Sequence, residues 1–348
     1  REMLLQLTKV NTDVILTTAT QPKLFEATDG VVELCDREAY FAHVNRVSIF
    51  PQVAGKQTIE EFVETLTIRD QYSYLFILNT IASAKELYGL LKTKYDGPIA
   101  FLSTHIPPKE RLKRIYEIKK GKYRVVVSTQ LVEAGVDIDF DTVYRDLAPL
   151  ESIVQSAGRC NRNGRKTGEV YITHLWNGQK GSYASLIYSP VTLEVTTNLL
   201  NNYTEIKEKQ LLSLIEAYYN TVKDKLRKTE SEKYLNAVST LYFDGEEDVE
   251  RIPISHFQLI EEDYRKIDVF IELDEEARKI WDSYEKIINM KNDLNRYQEW
   301  SKLKIKFQDY VISVPAHVDN KPPVVNGYFY VGKSDLDRFY DKETGFKT

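Results

Sequence analysis

Between residues 74 and 175 short apolar runs alternate with amphipathic stretches, the pattern of a parallel sheet with helices on both faces. "YLFIL" (74–78) reads as a strand, "ASAKELYGLL" (82–91) as a helix and "IAFL" (99–102) as the next strand. "PPKERLKRIYEIKKG" (107–121) is a helix with prolines at its start and glycine at its end. "YRVVVS" (123–128), "TVYRDL" (142–147) and "EVYITHL" (169–175) bring the sheet to roughly five strands. A further helix is expected from about Leu150 to Arg162, stopped by Asn163-Gly164.

The flanks differ. "TDVILTTATQPKLF" (12–25) looks like the last strand and turn of another sheet, so the chain is expected to begin in the middle of a domain. Residues 190–240 are helical in period, and "FQDYVISVPAHV" with "NGYFYVG" predicts two or three closing strands.

Composition narrows the function classes. The chain has 348 residues, 42% of them hydrophobic, enough for two or three domains with real cores. A net charge of −5 argues against a protein that coats nucleic acid or membrane through bulk charge, so any such contact is local. Much of that charge comes from residues 241–301, with 17 acidic against 8 basic residues. No apolar run reaches the roughly 20 residues of a membrane span and no signal-peptide pattern opens the chain, so a cytoplasmic location without a membrane partner is expected. Cys35 and Cys160 are too few for a disulfide framework, and the five histidines stand apart, which predicts no metal centre in this chain.

Against that acidic background "QSAGRCNRNGR" (155–165) carries three arginines and no acid. On the expected helix Leu150, Ile153, Val154 and Ala157 share one stripe, while Gln155, Arg159 and Arg162 fall on the opposite, outward face. Gly158 removes a side chain that would hold a partner surface away. Arginine forks match phosphate oxygens and keep their charge when desolvated, which suits a polyanion; a solvated helix end complementing the dipole is the plainer alternative. Upstream, "VVVSTQLVEAGVDIDFD" (125–141) sets Ser128, Thr129 and Gln130 at a strand's carboxyl end, where hydroxyls and backbone N–H groups can hold phosphates without reading bases. Gly135 allows close backbone approach. Asp137 can accept from a ribose hydroxyl or orient an arginine. A second basic patch, residues 105–125, has eight Lys or Arg against two Glu and reads more simply as a solvated helix face.

In this order and spacing "STQLVEAGVDID" and "QSAGRCNR" resemble motifs V and VI of superfamily two helicases, with "FILNT" (76–80) similar to motif IV and "LTTAT" (16–20) to motif III. Gln155-Ser156 in place of the usual Gln-Arg, with "LVEAGVDIDFD", "YRDLAPLESIVQ" and "IYSPVTLEVT", resembles more narrowly the helicase–nuclease of type I CRISPR interference.

The resemblance implies the second of two RecA-like lobes. Residues 1–45 would be a remnant of the first lobe, 46–180 the second lobe, 181–240 a helical linker and 241–348 a small α+β accessory domain. It implies catalytic roles for Arg159, Arg162 and Gln155, ATP contacts at Gly135, Asp137 and Gly158, and DNA-backbone contacts at Asn79, Thr80, Thr104, His105, Thr129 and Gln130. Thr18, Ala19 and Thr20 would couple nucleotide state to strand movement. The cofactors implied are ATP and Mg²⁺, the Mg²⁺ ligands lying in the first lobe, since neither a phosphate loop nor an Asp-Glu box occurs here. The partners implied are single-stranded DNA, the first lobe, an HD nuclease domain or subunit and the CRISPR surveillance complex. Two other readings remain open at this point: a general superfamily two DNA or RNA helicase, and a non-catalytic docking module.

Overall fold

The computed structural model describes residues 1–18, 20, 24–25, 27–164, 166–179, 181–225, 229–258 and 265–347. Helices α1 (Glu2–Thr8) and α2 (Arg37–His43) precede a long strand, β1 (Val47–Gln57), and α3 (Ile59–Thr65). The alternating region follows as β2 (Tyr74–Leu78), α4 (Ile81–Lys94), β3 (Ile99–Leu102), α5 (Pro108–Lys119), β4 (Val125–Thr129), β5 (Thr142–Asp146), α6 (Leu150–Ala157) and β6 (Gly168–Leu175). Next come α7 (Pro190–Leu200), β7 (Ile206–Lys207), α8 (Leu211–Lys225) and α9 (Thr229–Ser239). The remainder is β8 (Lys266–Ile271), α10 (Glu275–Ile288), α11 (Asp293–Gln308), β9 (Val311–Pro315), β10 (Val324–Val325), β11 (Tyr328–Val331), α12 (Leu336–Phe339), β12 (Tyr340–Asp341) and β13 (Gly345–Phe346).

Seven strands form one sheet in the order β3-β4-β2-β5-β6-β1-β7, parallel throughout except for β7 at the edge. Buried on both faces, β2 sends Leu75 and Ile77 into one core and Tyr74, Phe76 and Leu78 into the other. The first core also takes Ile153 of α6 and Val195, Leu214 and Tyr218 of α7 and α8, so much of the segment read as a linker packs on the sheet. The second takes Phe62 of α3 and Leu87 and Leu91 of α4.

Two local expectations are corrected, and one unannounced strand appears. The described residues of 12–25 form no strand; alone, such a segment has no neighbour to supply ladder hydrogen bonds. β1 is a strand that the pattern does not announce, because Pro51 removes a donor and β1 faces β7 only at Ser48 and Ile49. The helix expected to run to Arg162 ends at Ala157, for reasons given below.

The acidic stretch of 241–301 contributes β8 to a second sheet of order β10-β11-β8-β9 and α10 to the layer packed on it. Asp274 caps α10 by accepting from Ala277 N at 2.8 Å, and Glu275 and Glu276 in its first turn favour the positive end of the helix dipole. Phe270, Trp281, Tyr284 and Phe307 fill the core between this sheet and α10–α11, while Val269, Ile271, Phe339 and Phe346 fill the opposite side. Among the described residues no helix is long and apolar enough to cross a membrane.

Candidate functional site

Because β2, β3, β4 and β5 run in parallel, their carboxyl ends deliver Asn79, Thr104, Thr129 and Leu147 to one edge of the sheet, where ligands of open α/β sheets bind. The arginine-bearing segment lies beside the loop that leaves β4. It leaves α6 at Gly158, and from there Phe140 N donates to Arg159 O at 3.0 Å and Asn161 N to Phe140 O at 2.8 Å. Cys160 therefore forms a bridge with Phe140 instead of a further helical turn, and Asn161 takes φ 42°, a left-handed backbone that asparagine tolerates. This pairing with the preceding loop outweighs helix continuation.

The two arginines are thereby separated, which corrects the expectation that both lie on one outward helix face. Arg159 is buried at 8% exposure; its Nε donates to Val132 O at 2.7 Å and its Nη2 to Glu133 O at 2.5 Å. Burial, and then the charge of Arg162, lower its pKa. Arg159 ties the arginine segment to the loop after β4. Arg162 stays 42% exposed, with Nε 3.3 Å from Asp137. Asp139 accepts from Arg162 N at 2.7 Å, fixing the backbone beneath the exposed guanidinium. Lys119 at 2.8 Å and Arg162 both hold the Asp137 carboxyl below its usual range, Lys119 the more strongly. Asp137 thus orients an arginine. Gly135 is exposed at φ 70° with open space where a Cβ would stand; Gly158 and Gln155 are half-buried, and a Cβ on Gly158 would meet Gln155 O at 3.2 Å.

The residues expected to hold DNA divide likewise. Thr104 is exposed, while Thr129 is buried at 5% exposure. Thr80 caps α4, its Oγ1 accepting from Ser83 N at 3.0 Å. Asn79 is 2% exposed and engaged through its side chain: Nδ2 donates to Asp146 Oδ2 and to Leu147 O, both at 2.7 Å, and Oδ1 accepts from Arg145 at 2.6 Å. Its position under the edge, not on it, is a correction. Gln130 donates to Asn79 O at 2.8 Å. Burial pushes the Asp146 carboxyl up to about 7 against the opposing pull of Leu175 N, Arg145 and Asn79. Sequence reasoning missed Arg145 and Asp146; the signal was an Arg-Asp pair inside the strand "TVYRDL", where parallel strands are otherwise apolar.

His105 is also corrected: it is 4% exposed and lies under the C-terminal hairpin. Phe346 N donates to His105 O at 2.9 Å, the two rings meet edge to face, and Lys85 Nζ donates to Phe346 O at 2.6 Å. Arg114 Nη1 reaches Phe101 O at 2.8 Å, and its guanidinium also donates to the carbonyls of Lys342 and Glu343. Burial first, and then the nearby Lys85 charge, lower the His105 pKa to about 4 from an ordinary 6.5. A depressed folded-state value means that stability is full above pH 6.5 and drains as pH falls toward 4, by on the order of 3 kcal/mol. Protection factors of the amides of residues 340–347, taken relative to the intrinsic exchange rate at each pH, should fall between pH 7 and 5, and His105→Gln should flatten that dependence. An equal fall in the variant would assign the effect to other groups.

The basic patch on α5 is largely compensated. Lys109 pairs with Asp274 and Glu276 at the start of α10, Lys113 with Glu110, Lys119 with Asp137 and Lys122 with Glu117. Near the amino terminus Thr18 Oγ1 donates to Thr20 O at 3.0 Å, and Tyr219 OH donates to Thr20 Oγ1 at 3.3 Å, docking this segment on α8. Ala19 lies outside the described residues.

Comparison with known proteins agrees with this architecture. Residues 70–165, from β2 to the arginine segment, match the family model described as CRISPR-associated nuclease/helicase Cas3, C-terminal. The CRISPR-associated nuclease/helicase Cas3 of Haloferax volcanii is 56% identical over 54 residues, 15% of this chain and 6% of that protein. The protein of the same description from Methanothermobacter thermautotrophicus is 26% identical over 216 residues, 56% of this chain and 26% of that one. The chain therefore spans about a quarter or less of the length of these relatives. Among solved structures, T. fusca Cas3 with AMPPNP shares the fold at a TM-score of 0.52 and 14% identity, over 80% of this chain and 38% of that one. Residues 70–165 are thus similar to the C-terminal region of Cas3 proteins, and the solved structure shares the fold.

Proposed function

We propose that this C-terminal portion of a Cas3-type helicase is the second RecA-like half of an ATP-dependent translocase on single-stranded DNA, acting in type I CRISPR interference. The observation that carries the reading is Arg162: exposed, held by Asp137 through one edge of its guanidinium, and carried on a backbone pinned by Asp139. Such a fork is free to meet phosphate oxygens presented by a facing lobe without first breaking a buried pair. ATP, bound with Mg²⁺ on that neighbouring lobe, supplies the phosphoryl transfer and the developing charge that an arginine neutralises. In this chain Arg162 would approach that charge, Asp137 would aim it, and Arg159 would keep the arginine segment and the loop after β4 moving as one body. Thr104 and Gln130 are the proposed DNA-backbone contacts at the sheet edge, with Thr129 buried beneath them, and Thr18 to Thr20 the proposed link to the first lobe. The divisions at 45 and 240 enter the same proposal, with α7 and α8 counted in the lobe's own core and not in a separate linker from 181.

The test is ATP turnover by the complete protein. The expected result is hydrolysis stimulated by single-stranded DNA, with strand cleavage by the HD nuclease only after a guide-loaded surveillance complex has opened a target duplex. Turnover indifferent to DNA contradicts the translocase. Cleavage indifferent to the complex favours a general helicase. The isolated chain, lacking a phosphate loop, is expected to turn over no ATP.

A further inference from the structure

Arg145 is 0% exposed on β5, and its guanidinium reaches four separate parts of the lobe. Nη1 donates to Asn79 Oδ1 at the end of β2, at 2.6 Å, and to Asp146 O at 3.0 Å. Nη2 meets Glu133 Oε1 in the loop after β4 at 2.8 Å and donates to Tyr188 OH, just before α7, at 2.9 Å. Nε has no hydrogen-bond partner. The partners extend the chain in both directions. Glu133 Oε1 also accepts from Ser156 Oγ on α6 at 3.1 Å, and the Glu133 carbonyl holds Arg159. Gln130 donates to both Asn79 O and Tyr188 OH, at 2.8 and 3.3 Å.

A buried charge cluster of this kind is a poor source of stability, because desolvation offsets much of the attraction and an apolar core of equal volume often does as well. What it does supply is a unique hydrogen-bond arrangement that cannot shift at one end without re-pairing at the other. One end is the β2 and β4 strand-end turns, beside the proposed DNA contacts. The other is Ser156 and Arg159, which set where α6 leads into Arg162.

We propose that Glu133, Arg145 and Tyr188 act as positioning residues, a buried relay that transmits DNA occupancy of the strand-end turns to the arginine segment; this rests on the translocase reading above. A strand held at Gln130 pulls on Asn79 O and Tyr188 OH, Arg145 re-pairs between Tyr188 and Glu133, and Glu133 shifts Ser156 and Arg159 with it. The unsatisfied Nε marks where the guanidinium can take a second pairing.

The experiment uses the complete protein with Tyr188→Phe, which removes one hydroxyl at nearly constant volume, and Glu133→Gln, which keeps shape and removes charge. ATP turnover is measured with and without single-stranded DNA, together with KM for ATP. Both variants should keep the DNA-free rate and KM within about twofold, and should lose about five- to tenfold of the DNA stimulation, a coupling of the size usual between linked sites. The double variant should lose no more than the worse single one, because both cut the same path. Should DNA stimulate the wild type and both variants equally, the relay is overturned while the translocase stands. Should the variants lose DNA-free turnover to the same extent as stimulated turnover, their role is structural and the relay is again overturned. A wild type unaffected by DNA overturns the translocase reading itself.

Discussion

Arg162→Ala should cut ATP turnover by the complete protein by about 10³–10⁵-fold, some 4–7 kcal/mol of barrier, while leaving thermal stability unchanged within experimental error. The two halves of that expectation have one cause. The side chain is 42% exposed and its ion pair to Asp137 is open to solvent, so truncation leaves no cavity and no buried charge. Arg162→Lys should restore only part of the rate, because an ammonium cannot contact two phosphate oxygens in the fixed fork of a guanidinium. Arg159→Ala should behave differently: it strands the carbonyls of Val132 and Glu133 and lowers stability together with activity. Turnover measured beside thermal denaturation separates the two, and a fall in stability for Arg162→Ala would place that side chain in the fold instead of the reaction.

Gly345→Ala should release the C-terminal hairpin. Gly345 has φ +87°, and an added Cβ would overlap the His105 carbonyl, 2.8 Å from its carbon and 2.9 Å from Ile106 Cγ1. Neither neighbour can yield, one being backbone and the other a fully buried side chain. Lifting the hairpin exposes Phe346, now 0% exposed, and breaks its bond to His105 O, a cost of about 2–4 kcal/mol. Gly121 supplies the control. Its φ is +76° with nothing near the Cβ position, so Gly121→Ala pays only the backbone cost, about 1–2 kcal/mol. Denaturant unfolding and protease sensitivity near residue 340 distinguish the outcomes. Equal effects at the two glycines would show that the hairpin does not seat on His105.

The legibility of this chain follows the range of the forces that shape it. Strands β2 and β3 coincide with their apolar runs because periodicity and burial are local consequences of the same residues. The arginine segment was legible as a charge pattern but not as a shape. Whether Arg159 points out or in depends on a pairing between Phe140 and Cys160 that no helical period contains. His105 reads as a strand-end contact until a hairpin some 240 residues later covers it, a tertiary event with no signature at residue 105 itself. Likewise the acidic stretch near residue 274 gains its meaning from Lys109 on α5, 165 residues earlier, where it neutralises part of the α5 patch.

The central claim is that an exposed arginine of this half completes a nucleotide site built on a facing lobe. The most direct measurement is a structure of the complete protein trapped with a non-hydrolysable ATP analogue and single-stranded DNA. The account predicts Arg162 Nη atoms within about 3.2 Å of a γ-phosphate oxygen, with Arg159 still bound to the carbonyls of Val132 and Glu133. An analogue seated on the first lobe with Arg162 still paired to Asp137 and pointing into solvent would contradict it.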